Sequence, residues 1–411
     1  MPEPELDIAD AQREVLARIG PLPAVTLPLV TAHGRILAAD QHARWALPGA
    51  AVATMDGWAV RSADLLRAEA GPVRLRIAGE SAAGHPSRAL LQAGEAARIS
   101  TGAVIPPGAD AVVAQEDCTR NDQELVVDRG RVGRFAAGHF VRAAGSDVAA
   151  GAALVPAGAV LGAGELALLA GCGLLEVVVH RPPRVAILGT GDELVPPGTT
   201  PAPGQVVNSN ALMLALQARA AGAEVIDLGI ARDDVDGLRA ALRRGLAADL
   251  LVTCGGISVG DHDLVLPTLL GLGGELVFRR VRLRPGRPTS FLRVPGADGP
   301  RPVFALPGNP ASAHVAFELF VRPALLRLQG RDWQRARRSV TLTAPAPRDA
   351  RRAHLVRARV VGDLATPLPD QTSGALRSIA GHNALLELAP GTCPMEPGAS
   401  VKAILLDEPC P

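Results

Sequence analysis

The chain has 411 residues, Lys+Arg 42 against Asp+Glu 41 and a formal net charge of +1, so it carries no basic tract of the kind that tracks a nucleic-acid backbone. Aromatics are only 2% of residues, with no Tyr, which removes the stacking platforms that single strands need. A chain this long is expected to hold about two to four domains of typical size, and its 48% hydrophobic content is enough to bury a core in each.

The N-terminal run MPEPELDIAD is acidic and broken by prolines, so it cannot serve as the basic head of a signal peptide. Ile8, Ala11, Val15 and Ile19 then recur on one helical face until Gly20 and Pro21 end the pattern. His33 to Asp40 (HGRILAAD) reads as a candidate second helix. Trp45 to Val60 then breaks it with Pro48, Gly49 and Gly57, and from there to about Gly145 the texture changes to short alternating runs, including VRLRIAG, ADAVVAQED and ELVVD, which predict a small β domain. Val148 to Gly164 lacks charge for 17 residues but is mostly Ala and Gly with Pro156 inside it, too weakly apolar to span a bilayer. No membrane segment is expected.

Helix signals return in GELALLAG (Gly164 to Gly171), followed by the strand EVVV. Next come three strand-and-turn units: RVAIL into GTGDEL, LLVT into CGGISVGDHD, and VFAL into PGNP. Two predicted helices separate the first two. In one, Leu212, Leu216 and Ala220 recur every four residues after Asn208 and Ser209 as caps; in the other, Leu238, Leu242 and Leu246 follow Asp233. Strands alternating with such helices predict a parallel α/β sheet, whose ligands sit outside the carboxyl ends of the strands. All three turns are therefore expected on one edge. RDWQRARR (Arg331 to Arg338) reads as a solvated linker, and SVTLTA, HLVRARVV, ALLELA and VKAILL as short strands of a small barrel or sandwich.

The resulting fold class is multidomain α/β plus β. It has an elongated helical and mixed domain from residues 1–45 and 146–179, an inserted β domain at 46–145, a parallel α/β domain at 180–330 and a C-terminal β domain at 338–411. The five cysteines, Cys118, Cys172, Cys254, Cys393 and Cys410, are scattered, odd in number and form no C-x-x-C pair. That favours a reducing cytoplasm over a disulfide framework or a zinc site.

Among the motifs, GTGDEL is not a dinucleotide fingerprint, because Leu194 replaces the third glycine, and no Walker A, H-E-x-x-H or G-x-S-x-G pattern occurs. Asp192 and Glu193 at one strand end, with Asp261 and Asp263 at another, have the character of an Mg²⁺ site, since Mg²⁺ takes one or two carboxylates plus substrate phosphates. The alternative is that these acids are N-caps and turn formers. Arg284 and Arg287 flank a Pro-Gly turn in RPGRP, an arrangement that fits a tetrahedral oxyanion as well as it fits a solvated basic turn. TMDGWAV and STGAVIPPGADAVV add Asp56, Ser100 and Thr101 beside glycines, and DQTSGALRS resembles them in composition.

Taken together, MDGWA, STGAVIPPGADAVV, PRVAILGTGDELV, GGISVGDHD, RPGRP, LPGNP and DQTSGALRS resemble, in order and spacing, the molybdopterin molybdenumtransferases, over nearly the whole chain. The resemblance implies a homodimer of four-domain chains, in which one subunit's β domain stands over its partner's α/β site, and a C-terminal β-barrel. It also implies the reaction, with Mg²⁺ as cofactor: adenylylated molybdopterin and molybdate become molybdenum cofactor and AMP. Asp56, Thr101, Glu193 and Asp263 fall on positions the family uses for catalysis, with Glu193 and Asp263 as metal ligands. Gly189, Thr190, Gly191, Asp192, one of Asp233 and Asp234, Gly255, Gly256, Gly308 and Asn309 fall on substrate-binding positions. Arg284, Arg287, Ser258, Arg352 and Ser373 match the molybdate and pterin side, and Pro285 and Gly286 of the same turn fall on substrate-binding positions. Many relatives have lysines where Arg284 and Arg287 stand, so a planar fork replaces a point charge; Trp58 replaces the usual Tyr or Phe.

Two other functions compete with the transferase. The adenylyltransferase of the same pathway shares the α/β domain but lacks flanking parts of the size seen here, about 180 residues before and about 80 after. A gephyrin-like scaffold is the non-enzymatic alternative, but the chain has no long linker or fused domain. The adenylyltransferase and proteins that mature apo-molybdoenzymes are the candidate protein partners; nucleic acid and membrane are not expected.

Overall fold

In the computed structural model, residues 5–66, 71–127, 135–256, 264–331 and 335–406 are described. They divide into two compact units, one made of Leu27–His33 and Ala39–Val177, the other of Met1–Thr26, Gly34–Ala38 and Val178–Pro411.

The first unit centres on a six-stranded sheet of β1 (Gly57–Val60), β2 (Val73–Ser81), β3 (Glu95–Ile99), β4 (Ala111–Ala114), β5 (Cys118–Asn121) and β6 (Glu124–Val127), in the order β4-β1-β3-β2-β6-β5. Strand alternation supplies both of its buried faces. Trp58, Val60, Val113 and Leu125 enter one core, while Ala59, Ala97, Ile99 and Val112 enter another on the opposite side. β1 runs antiparallel to β3 with Gly57 opposite Ile99, so the residues just beyond each strand end, Asp56 and Thr101, are brought together.

The second unit begins with α1 (Ile8–Leu16), where Ala11 and Val15 are buried together with Ile19 as the spacing predicts. Its α/β sheet contains β7 (Arg184–Thr190), β8 (Glu224–Ala231), β9 (Leu250–Cys254), β10 (Glu275–Phe278), β11 (Ser290–Gly296) and β12 (Gly299–Leu306), ordered β8-β7-β9-β12-β11-β10. The first four are mutually parallel; β11 and β10 add an antiparallel edge. The β11–β12 hairpin, with Gly296 paired to Gly299, turns on Ala297-Asp298 and has Gly299 at φ 113. The Asp-Gly in that stretch is a hairpin signal that the sequence reading passed over. Helices α2 (Ser209–Ala220), α3 (Val235–Gly245), α4 (Val265–Gly271), α5 (Pro310–Ala316) and α6 (Arg322–Leu328) cover the sheet, α5 and α6 being joined by a π-helical turn at Phe317–Val321.

Three expectations need correction. Helix α2 forms with Asn208 as its cap, but Leu212 and Leu216 are exposed at 56% and 54%; the packed face is Leu214, Gln217 and Ala218. Gln217 belongs to that face because its amide donates to buried Glu318 at 2.9 Å, a polar partner that an apolar repeat cannot reveal. His33–Asp40 is not helical. Gly34 turns the chain at φ 72, and buried Ile36 and Leu37 lie extended beside Val179, with Ala38 N donating to Val178 O at 2.9 Å. The solvated-linker reading fails at Arg335, whose side chain is nearly buried and donates to Glu318 at 2.7 Å; residues 332–334 lie outside the described residues. By contrast Leu238, Leu242 and Leu246 of α3 are buried as expected, although Asp234 rather than Asp233 is the cap.

The C-terminal strands β13 (Arg337–Leu342), β14 (Ala353–Val361), β15 (Leu364–Pro367), β16 (Ala384–Leu388) and β17 (Ser400–Leu405) close on themselves in the ring β14-β15-β13-β17-β16-β14. A five-strand barrel, not a sandwich, therefore results. Leu283–Arg284 pairs in parallel with Ala353–His354, which fastens the RPGRP turn to the barrel.

Candidate functional site

At the carboxyl ends of β7, β9 and β12, the three predicted turns converge on one cavity of about 650 Å³, the position expected for a ligand in a parallel sheet. Thr190 and Glu193 come from the first turn, Gly255 and Gly256 from the second, and Gly308 and Asn309 from the third; Arg287 reaches the cavity from the RPGRP turn. Close approach explains the glycines. A Cβ on Gly255, at φ 101, would run into the Thr190 carbonyl, so that turn is bare backbone where another segment must pass; one on Gly191, at φ 140, would strike the carboxylate of Glu193 in its own turn.

The other predicted residues divide by role. Asp192 and Asp233 exchange bonds, Asp192 N donating to the Asp233 carboxylate at 3.3 Å and Asp233 N to that of Asp192 at 3.1 Å. Asp234 accepts from Gly237 N at 2.7 Å. For these three the turn-forming and capping reading is the one the geometry supports. Gly189 lies behind the cavity wall, against the Asn208 amide. Ser258, Asp261 and Asp263 lie outside the described residues.

Arg284, Pro285 and Gly286 do not line the cavity; instead Arg284 and Arg352 share one buried carboxylate, Asp349, at 3.3 and 2.8 Å. Burial works against the Asp349 anion, but Arg352, the Arg351 N–H and Arg284 outweigh it and hold the carboxyl well below the usual range. Arg287 is paired with Glu5, donating from Nε at 2.8 Å. Both RPGRP arginines remain about half-exposed, at 50% and 47% of their side chains, so each has donors left for an incoming oxyanion.

Ser373 reaches the cavity edge from the barrel. Its carbonyl accepts from Ala311 N at 3.1 Å, its hydroxyl from Asn309 Nδ2 at 3.2 Å, and its neighbour Gly374 lines the cavity. Fully buried Arg357 positions this loop, donating to Ser378 O at 3.2 Å and Thr372 O at 3.4 Å; burial draws its pKa down to about 10. In the other unit, the Asp56 carboxylate accepts from both Thr101 N (2.6 Å) and Thr101 Oγ (2.9 Å). The Thr101 backbone and hydroxyl bonds lower its pKa.

Sequence reasoning missed Asn208, Asn210, Arg280 and Cys254 in the cavity wall and Asp349 beneath the arginines. Only Asn208 carried a signal, and it was spent on helix capping. Burial pushes the Cys254 thiol up to about 12, with Asn210 opposing, which favours its protonated form in the cavity wall.

This geometry has counterparts among known proteins. The MoeA N-terminal region (domain I and II) matches residues 6–173, the probable molybdopterin binding domain 186–327, and the MoeA C-terminal region (domain IV) 339–406. The molybdopterin molybdenumtransferase 2 of Mycobacterium tuberculosis is 36% identical over 391 residues, 93% of this chain and 95% of that one. The chain belongs to the molybdopterin molybdenumtransferase family. Another member, the molybdopterin molybdenumtransferase of a Nostoc species, is 40% identical over 305 residues, 74% of this chain and 69% of its own. The crystal structure of the molybdopterin biosynthesis MoeA protein from Pyrococcus horikosii superposes with a TM-score of 0.87 at 33% identity, covering 98% of this chain and 100% of that one. No helix among the described residues is long and apolar enough to cross a membrane.

Proposed function

We propose that this chain inserts molybdate into adenylylated molybdopterin with release of AMP, and that the cavity at the ends of β7, β9 and β12 is where the anhydride is cleaved. The observation that carries the reading is the meeting of three glycine-bearing turns, one carboxylate and a guanidinium fork on a single cavity. Bare backbone there admits phosphate oxygens, and the fork neutralises charge that builds on them during phosphoryl transfer.

Mg²⁺ suits the residues only in part. Glu193 brings a carboxylate to the cavity, whereas Asp192, Asp233 and Asp234 have theirs in backbone hydrogen bonds. The described residues contain no cluster of three or more His, Cys, Asp or Glu placed for a metal. A cation held by Glu193, Asp263 and substrate phosphates is therefore the arrangement we favour, since Mg²⁺ is commonly bound by one or two carboxylates and phosphates. When bound it would neutralise developing charge on the anhydride. Arg284, Arg287, Arg352 and Ser373 supply the N–H and O–H donors for molybdate, and Asp56, kept ionised by Thr101, supplies a fixed negative charge. We take the working form to be a homodimer in the cytoplasm, where the four cysteines among the described residues, all unbonded, would stay reduced.

The test is to incubate the protein with adenylylated molybdopterin, Mg²⁺ and molybdate and to quantify AMP. Molybdate-dependent release supports the reading; ATP-dependent adenylylation of molybdopterin would select the adenylyltransferase instead. In the same assay, Arg284→Ala with Arg287→Ala should raise the molybdate concentration for half-maximal rate. Each charge-assisted partner lost by a dianion is worth about 1.5–3 kcal/mol. An unaltered molybdate dependence would reduce RPGRP to a solvated turn.

A further inference from the structure

Two asparagines at the start of α2 have amide ends that the fold does not use. Asn208 Oδ1 caps the helix, accepting from Ala211 N at 3.3 Å. An N–H can only donate, so the amide's orientation is set, and its Nδ2 lies against Gly189 with no acceptor among the described residues. Asn210 is turned the other way. Its Nδ2 donates to Gly308 O at 2.6 Å and points to Cys254 Sγ at 3.4 Å, leaving Oδ1 without a donor among the described residues. Both side chains line the cavity, and Asn208 is only 6% exposed. A free amide N–H and a free amide oxygen on one cavity wall can each bond a ligand.

The same cavity has apolar walls with no partner of their own. Val206 and Leu376, 56% and 53% exposed, line it with Leu194 and Pro307. Apolar surface of this kind, beside a few fixed polar groups, is what a flat ring needs: burial for its faces and hydrogen bonds for its edge.

We infer that Asn208 and Asn210 form a recognition edge for a planar nitrogen heterocycle, Asn208 Nδ2 donating to a ring acceptor and Asn210 Oδ1 accepting from a neighbouring ring N–H. The inference rests on the transferase reading for its choice of ligand, since pterin and adenine, the two ring systems of adenylylated molybdopterin, both present such an edge. Gly189 is part of the device, because the Asn208 amide occupies the space its Cβ would fill.

Asn208→Asp separates this role from the structural one. Aspartate caps a helix as well as asparagine does, but it places an acceptor where the ring requires a donor; Asn208→Ser also caps and has no donor at that point. Calorimetric titration of the full chain with AMP, and separately with 6-hydroxymethylpterin, should show one probe binding at least about tenfold more weakly to both variants, at an unaltered melting temperature. The probe affected identifies the ring. Variants that fold and bind both probes like the wild type would overturn the inference, as would a wild-type protein that binds neither. A wild type that binds a probe through Asn208 yet releases no AMP from adenylylated molybdopterin overturns the transferase reading alone.

Discussion

Glu318→Ala is expected to lose about 3–5 kcal/mol of folding stability, the cost of leaving buried charge without its partner. Glu318 sits in the π-helical turn between α5 and α6 with 3% of its side chain exposed, and it accepts from Arg322 at 2.8 Å, Arg335 at 2.7 Å and Gln217 at 2.9 Å. Its removal would take the carboxylate from the guanidinium of Arg322, itself only 7% exposed, and from that of Arg335, which keeps its bonds to the Leu405 and Leu406 carbonyls. The same group predicts an acid limb. Burial alone would raise the Glu318 pKa, but Arg322 and Arg335 outweigh it and bring it from 4.5 down to about 2. A depressed carboxylate stabilises the fold above its unfolded pKa, so this contribution is complete above about pH 4.5 and disappears as pH falls through about 2. Urea unfolding of wild type and variant at neutral pH measures the loss. A difference below about 1 kcal/mol, the range of exposed pairs, would show that the cluster is solvated.

Glu193→Ala should abolish AMP release while leaving the fold intact, because its carboxylate faces the cavity at an exposed turn instead of a core. Loss of a group placed to hold a metal or the reacting phosphates is expected to cost roughly 10²-fold or more in rate. Asp56→Ala should be equally inactive, for a different reason: its carboxylate belongs to the other unit, where Thr101 fixes it. If the working form is the homodimer proposed above, with one subunit's β domain over its partner's α/β site, its two-fold axis gives two equivalent composite sites. Mixed dimers of the two variants then contain one site with both lesions and one with neither, and random mixing should restore about a quarter of wild-type activity. Zero activity after confirmed subunit exchange would place the whole site within one chain.

Local rules made the turns and their common edge readable. GTGDEL, CGG and PGNP each follow an apolar run of strand length, and a parallel sheet puts all such turns on one side, which is where Thr190, Gly255 and Gly308 meet. The α3 stripe of Leu238, Leu242 and Leu246 was equally readable, because a helix with one apolar face has one way to pack. Where several faces were apolar the method failed: α2 buries Leu214 and exposes Leu212 and Leu216, since the deciding contact is Gln217 with Glu318, about a hundred residues away in the chain (|i−j|=101).

Sequence by itself determined most of the elements, His33–Asp40 excepted, with the turn chemistry and the family, all of which depend on residues a few positions apart or on motif order. Tertiary structure alone decided how the charges are paired. Asp349 takes up Arg284 and Arg352, Glu5 takes up Arg287, and Asp192 and Asp233 satisfy each other's backbone, leaving Glu193 as the carboxylate that faces the cavity among the described residues. Spacing along the chain cannot report this, because a charge's partner is set by distances of about 3 Å between segments that only folding brings together.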